Sequence, residues 1–98
     1  MDAYMFRAAL YCGYCADQIK HHLADVPEDA RDDSEDWPQG PFADGGGEAD
    51  SPQHCDDCGL FLENPLTSDG VDYVRDALAE GRGDAHTLAE WAEFYYLD

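Results

Sequence analysis

The chain has 98 residues, room for one small domain that hides only about 60–65% of the surface its unfolded form exposes. Its charge is one-sided, with 23 Asp and Glu against 5 Lys and Arg for a formal net charge of −18. That balance excludes direct nucleic-acid binding, which needs a basic face, and no apolar run reaches the ~18 residues of a membrane span.

Residues 3–11, Ala-Tyr-Met-Phe-Arg-Ala-Ala-Leu-Tyr, are mostly apolar and aromatic and read as a strand running into Cys12. From Gly13 the period changes. Cys15, Ile19, His22 and Leu23 fall on one face of a helix that ends near Asp25-Val26-Pro27. Residues 25–54 differ in kind: ten acidic residues, four prolines, four glycines and one arginine. By composition this is a long, partly mobile loop. Within it Trp37 and Phe42 flank Pro38-Gln39-Gly40-Pro41, and either pin the loop to the core or contact a partner. Leu60-Phe61-Leu62 is a short apolar stretch. Thr67-Ser68-Asp69 supplies N-cap residues for a helix carrying Val71, Val74, Ala77 and Leu78 and stopped by Gly81. Asp84 starts another, with Leu88, Trp91, Ala92 and Tyr95 on one face, running to the chain end and packing on the cysteine-bearing half.

The four cysteines form two pairs, Cys12-Gly-Tyr-Cys15 and Cys55-Asp-Asp-Cys58, separated by 39 residues. The N-terminus lacks a signal peptide's basic-then-apolar plan, so a reducing cytoplasm is the expected setting and thiols persist there. Two C-x-x-C pairs then point to a tetrahedral metal site with Cys12, Cys15, Cys55 and Cys58 as ligands, each pair on a turn that aims two sulfurs at one point. The first pair sits at a helix N-terminus, where the dipole favours thiolate. Gly59 suits a knuckle whose backbone turns N–H groups toward sulfur. One structural Zn²⁺ is the expected ion, although iron of the rubredoxin type uses the same ligands. Four thiolates leave no open coordination position, so hydrolysis at the metal is not expected. His54 abuts Cys55 and is an alternative ligand, while it, His21 and His22 also read as surface or packing residues. The rival reading is thiol redox chemistry at Cys12 and Cys15, but a thioredoxin fold needs more strands and leaves the second pair unused. No nucleophile elbow, zinc-protease helix or phosphate-binding loop is present.

Three explanations compete for the acidity: solubility or adaptation to high salt, a loop that merely spaces, and mimicry of nucleic acid. A compact globule of this length has a radius of gyration of about 13 Å, hence a diameter of roughly 32 Å. Duplex DNA of that length carries about 19 phosphates, close to the charge of this chain.

Cys12-x-x-Cys15, the run from Pro38-Gln-Gly-Pro41 through Gly45-Gly-Gly-Glu-Ala-Asp-Ser-Pro-Gln-His-Cys55, then Cys58-Gly-Leu-Phe-Leu-Glu-Asn-Pro-Leu66 and Trp91-Ala-Glu-Phe-Tyr95, resemble a group of small uncharacterised bacteriophage and prophage proteins. The resemblance implies the four cysteines as ligands and the cytoplasm of an infected or lysogenic bacterium as the setting. Small acidic proteins there often disarm nucleases, restriction enzymes or CRISPR complexes.

The resulting expectation is a single α+β domain over residues 1–98, metal-stabilised, zinc-ribbon-like or treble-clef-like, with two C-terminal helices. It is not an enzyme but an inhibitor of anti-CRISPR or anti-restriction type that blocks a basic, nucleic-acid-binding host protein. Asp29, Asp32, Asp33, Glu35, Asp36 and Trp37 are the candidate contacts. The alternatives are the thiol-redox protein, and a structural zinc module that binds through Trp91, Phe94 and Tyr95.

Overall fold

The apolar run at residues 3–11 is broken at Arg7 and Ala8. In the computed structural model, which describes residues 1–97, these two take positive φ angles of 49° and 63°. The expected single strand is therefore a hairpin of β1 (Ala3–Phe6) and β2 (Ala9–Cys12), paired antiparallel with Ala3 opposite Cys12. Two-residue hairpin loops need positive φ at both central positions, and Asn-Gly is their usual signature. Arg7 and Ala8 carry no such signal. The turn is held instead by its surroundings: Arg7 N donates to Ser34 O at 2.9 Å, its Nε donates to Glu35 O at 3.1 Å, and its guanidinium lies 4.7 Å from the Phe6 ring centroid.

The partners of Arg7 belong to the acidic segment, which is more structured than its composition suggests. Residues 39–42 form β3 (Gln39–Phe42), antiparallel to β1 on the edge opposite β2, so the sheet order is β2-β1-β3. This corrects the reading of residues 25–54 as one long loop. An edge strand tolerates Pro41, which has no N–H to donate. Single 3₁₀ turns lie at Glu28–Ala30 and Asp44–Gly46. Arg31 organises the rest. Its guanidinium sits 4.2 Å from the Trp37 ring centroid, and its Nε donates to Val26 O. Gln39 Nε2 donates to both Arg31 O and Trp37 O at 2.8 Å. Trp37 is thus half-buried against Arg31, whereas Phe42 is 44% exposed and does not pin the loop to a core.

The helices follow the sequence signals. α1 (Gly13–His22) starts from Cys12 as N-cap and buries Cys15 and Ala16. α2 (Ser68–Glu80) is capped by Thr67, whose hydroxyl accepts from Gly70 N, and stops at left-handed Gly81. α3 (Ala85–Tyr95) is capped by Asp84, whose carboxylate accepts from His86 N and Thr87 Oγ1. It ends at Tyr96, with φ 57°, short of the chain end.

Two small cores stand in series. Ala3, Cys12, Cys15, Cys55 and Leu62 form one; Phe61, Val74, Ala77 and Trp91 form the other. Neighbouring residues of one extended segment, Phe61 and Leu62, therefore serve different cores, as side chains alternate in extended chain. The α3 stripe packs on α2 and Phe61, not on the cysteines as expected. Two cores in a row stretch the molecule to 48 × 23 × 17 Å, with a radius of gyration of 15.2 Å, longer than the globule of about 13 Å expected for this length.

Asn64 joins the pieces. It is fully buried, and its Oδ1 accepts from Gln53 N at 2.7 Å while Nδ2 donates to Ser51 O and Pro65 O at 3.1 Å. Its own carbonyl accepts from the Tyr95 hydroxyl at 2.6 Å. Cutting the side chain back leaves buried backbone groups without partners, at about 1–3 kcal/mol each. Asn64→Ala is expected to destabilise the protein by about 2–4 kcal/mol in urea unfolding. A loss under about 0.5 kcal/mol would show that the amide does not join the segments.

Candidate metal centre

The hairpin and α1 deliver the first cysteine pair. Cys12 closes β2 and is the N-cap of α1, and Cys15 lies on the first turn of that helix, on the face it buries. The second pair comes from a tight reversal. Cys55 N donates to Leu60 O at 2.8 Å, Gly59 N donates back to Cys55 O at 2.9 Å, and Gly59 takes φ 78°. His54 and Phe61 form an antiparallel bridge just outside this turn. Asp56 N donates to Leu10 O at 2.8 Å and so docks the reversal on β2. Two local structures 39 residues apart are in this way brought face to face.

All four Sγ atoms lie within 4.8 Å of one another, and Cys12 Sγ is 3.7 Å from Cys58 Sγ. A tetrahedral ion with bonds of about 2.3 Å to sulfur sets its sulfurs about 3.8 Å apart, so the cluster is compatible with one metal ion and contracts slightly on it. None of the four is in a disulfide. Cys12, Cys15 and Cys55 are buried, while Cys58 is exposed and forms the outer wall.

The thiols are electrostatically unequal. Burial, then contact with the other three thiols, pushes Cys15 far above the usual thiol range. Burial also raises Cys55, but the backbone N–H groups of Cys58, Cys12 and Asp57 oppose it and bring the thiol down to about 7. For Cys58 the Leu60 N–H favours thiolate, yet desolvation and the Cys55 and Cys12 thiols leave it above its ordinary value. A cation at the centre reverses this balance, because it stabilises thiolate on every ligand at once.

His54 is not a ligand in this arrangement. Its Nδ1 is 2.9 Å from Gly59 O and its Nε2 accepts from Trp91 Nε1 at 3.2 Å, so both ring nitrogens are occupied. The ring stacks on Phe61 with centroids 5.3 Å apart. It links the cysteine reversal to α3, and an imidazole beside a C-x-x-C pair gives no sequence signal of that role. His21 and His22 are exposed at the far end of α1.

The other candidate residues are not gathered at this centre. Asp29, Asp32, Asp33, Glu35 and Asp36 are all exposed along the turns that follow α1, and Asp33 Oδ1 accepts from Glu35 N at 2.9 Å. Trp37 turns to Arg31. Sequence reasoning passed over Glu63, a non-glycine residue with φ 56°, and Asn64. No helix among the described residues is long and apolar enough to cross a membrane. Comparison with family models, with curated proteins and with solved structures finds no match for this chain.

The centre is expected to take up one equivalent of Zn²⁺ or Co²⁺, the cobalt form showing thiolate charge-transfer bands. Loading at pH 7 should release protons, since Cys15 and Cys58 enter as thiols and Cys55, at about 7, is half-ionised. Affinity should then fall steeply as pH drops below 7. Calorimetry in two buffers of different ionisation heat reads the proton count. Stoichiometry other than one, or four thiols that react freely with a disulfide reagent in the loaded protein, would refute the site.

Proposed function

We propose that this protein is a zinc-clamped, non-enzymatic interaction module whose acidic surface engages the nucleic-acid-binding face of a basic protein. The observation that carries the reading is the density of charge on an elongated body. With a Zn²⁺ on four thiolates the formal charge becomes about −20, spread over a long axis of 48 Å. That is one charge per ~2.4 Å, between the ~1.7 Å of duplex DNA and the ~3.4 Å of one strand. The greater length lowers the density below the duplex value that a compact globule would reach.

Zinc is favoured over iron because it forms the usual closed four-thiolate structural site in a small domain. The parts resemble those of a treble clef, with a hairpin, a helix start carrying Cys12 and Cys15 and a reversal carrying Cys55 and Cys58, but the reversal comes last in the chain. Thiol redox chemistry at Cys12 and Cys15 is disfavoured by the site's electrostatics. The acidified thiol is Cys55 on the knuckle, while Cys15 on the helix is shifted the opposite way. A reducing cytoplasm suits four free thiols, and an inhibitor of nuclease, restriction or CRISPR proteins is the role such a surface fits.

The candidate contacts are Asp29, Asp32, Asp33, Glu35 and Asp36, held beside the Arg31–Trp37 pair. Converting these five to Asn and Gln should abolish capture of a basic partner that DNA displaces, and flatten its dependence on salt. Capture from host lysate with graded salt washes and competing DNA makes the measurement. Retention of the same partner by the neutralised variant would sink the reading.

A further inference from the structure

The far end of the molecule carries a surface of different chemistry. Two clefts adjoin there, sharing Phe94 and Glu63. The first, about 460 Å³, is lined by Leu66, Val71, Phe94 and Leu97 together with Asp44 and Glu63. The second, about 570 Å³, is lined by Phe61, Phe94 and Tyr96 together with Glu63, Glu90 and Glu93. Phe94 is 38% exposed and Tyr96 93% exposed, unusual for large aromatics at the end of a helix. No lysine or arginine lines either cleft. Among the described residues Asp44, Glu63 and Glu93 make no ion pair, and Glu90 has only His86, at 3.8 Å.

The charge narrows what can cover this surface. A second copy of the chain brings its own −18, and nucleic acid or an anionic membrane is repelled likewise. A purely cationic ligand would not use the aromatic lining, and an apolar one would bury four carboxylates without partners, which costs several kcal/mol per ion. Only a segment with both features satisfies both sets of groups. Its apolar side chains fill the clefts beside Phe94, and Lys or Arg at helical spacing from them reach Asp44, Glu63, Glu90 and Glu93.

We propose that the paired clefts across α3 form a docking groove for an amphipathic basic segment of a partner protein. This groove is separate from the acidic turns at 28–36. Glu63 is its pivot: it has left-handed backbone between Leu62 of one core and Leu66 packed on the other, and it lines both clefts. Tyr95 stiffens the groove through its hydroxyl bond to Asn64 O.

The test uses the zinc-loaded full chain and three synthetic peptides of about four helical turns. One carries Leu and Lys at amphipathic spacing, one is its Leu–Glu counterpart, and one is oligolysine of equal charge. The Leu–Lys peptide should shift amide resonances of residues 63–66 and 90–97, bind at least about tenfold tighter than oligolysine, and leave the Leu–Glu peptide without measurable affinity. Phe94→Ala and the gentler pair Glu63→Gln with Glu90→Gln should each weaken it by about tenfold. Neutralising Asp29, Asp32, Asp33, Glu35 and Asp36 should leave it within about twofold, so that failure of the acidic-turn reading and failure of the groove are told apart. Equal binding of oligolysine, shifts confined to residues 28–36, no binding at all, or a dimer in sedimentation that Phe94→Ala dissolves would each overturn the groove.

Discussion

Four sulfurs drawn to one point constrain everything else in this molecule. They tie the start of α1 to the reversal at residues 55–58 across 39 intervening residues, a long loop to close. The core that accompanies them is small, since Ala3 and Leu62 are the only other fully covered members of that cluster. Three buried thiols and a fourth at the surface would by themselves be a poor reason for the chain to return. Structural zinc in small peptides contributes about 10–16 kcal/mol to folding, and a metal ion held at these sulfurs would work against both the closure and the self-repulsion of a surface at −18. The backbone is already arranged for it, because the amides that lower Cys55 are those of Cys58, Cys12 and Asp57. One of these donors, Cys12, belongs to the opposite half of the site, so the two halves hold each other before any ion arrives.

Three of the five cations have a visible task on an aromatic ring. Arg7 bridges the hairpin turn to residues 34 and 35, Arg31 covers Trp37, and Lys20 lies 5.0 Å from the Tyr4 ring centroid. Each of the three sits over an aromatic ring and not primarily against a carboxylate, in a chain where carboxylates are everywhere. Surface ion pairs contribute little net stability, whereas a guanidinium on an aromatic face also buries apolar area and keeps its donors free for backbone carbonyls. Arg7 and Arg31 use those donors on Glu35 O and Val26 O. The acidic segment is thus fastened largely through its main chain, and among the described residues its carboxylates form no ion pair.

This explains which features were legible in the sequence. The gathering of the four cysteines was, because two C-x-x-C pairs have few other uses than a shared point and Gly59 marks the tight reversal. Both C-terminal helices were, because Thr67, Asp84 and Gly81 are caps with a local mechanism. The hairpin was not: its turn lacks glycine and depends on Ser34 and Glu35, which composition places in a loop. β3 was hidden for a related reason, since Gln39-Gly-Pro-Phe42 has no alternating pattern and is a strand only because β1 offers an open edge. Asn64 could not be found at all. A single asparagine before proline reads as a turn residue, and its burial follows from where two cores happen to meet. The expected globule failed on the same point, because periodicity finds the faces of helices but not whether they share one core.

The two proposed surfaces differ in what they can do for a partner. Charge spread over 48 Å acts at a distance set by the Debye length, about 8 Å at physiological salt, and raises the rate of encounter more than the lifetime of the complex. A groove that buries Phe94 and pairs Glu63 acts only in contact and lengthens residence, where most affinity differences between related complexes arise. The acidic turns pack on the hairpin turn through Arg7 and the groove borders the helical core, with Phe61, Leu62 and Asn64 between the two cores. A partner that meets both surfaces needs their spacing held, and that spacing rests on the join at Asn64 and on the His54–Trp91 bond between the cysteine reversal and α3. A metal ion at the sulfurs would bear on the proposed groove through geometry alone, since the reversal that His54 adjoins carries Cys55 and Cys58.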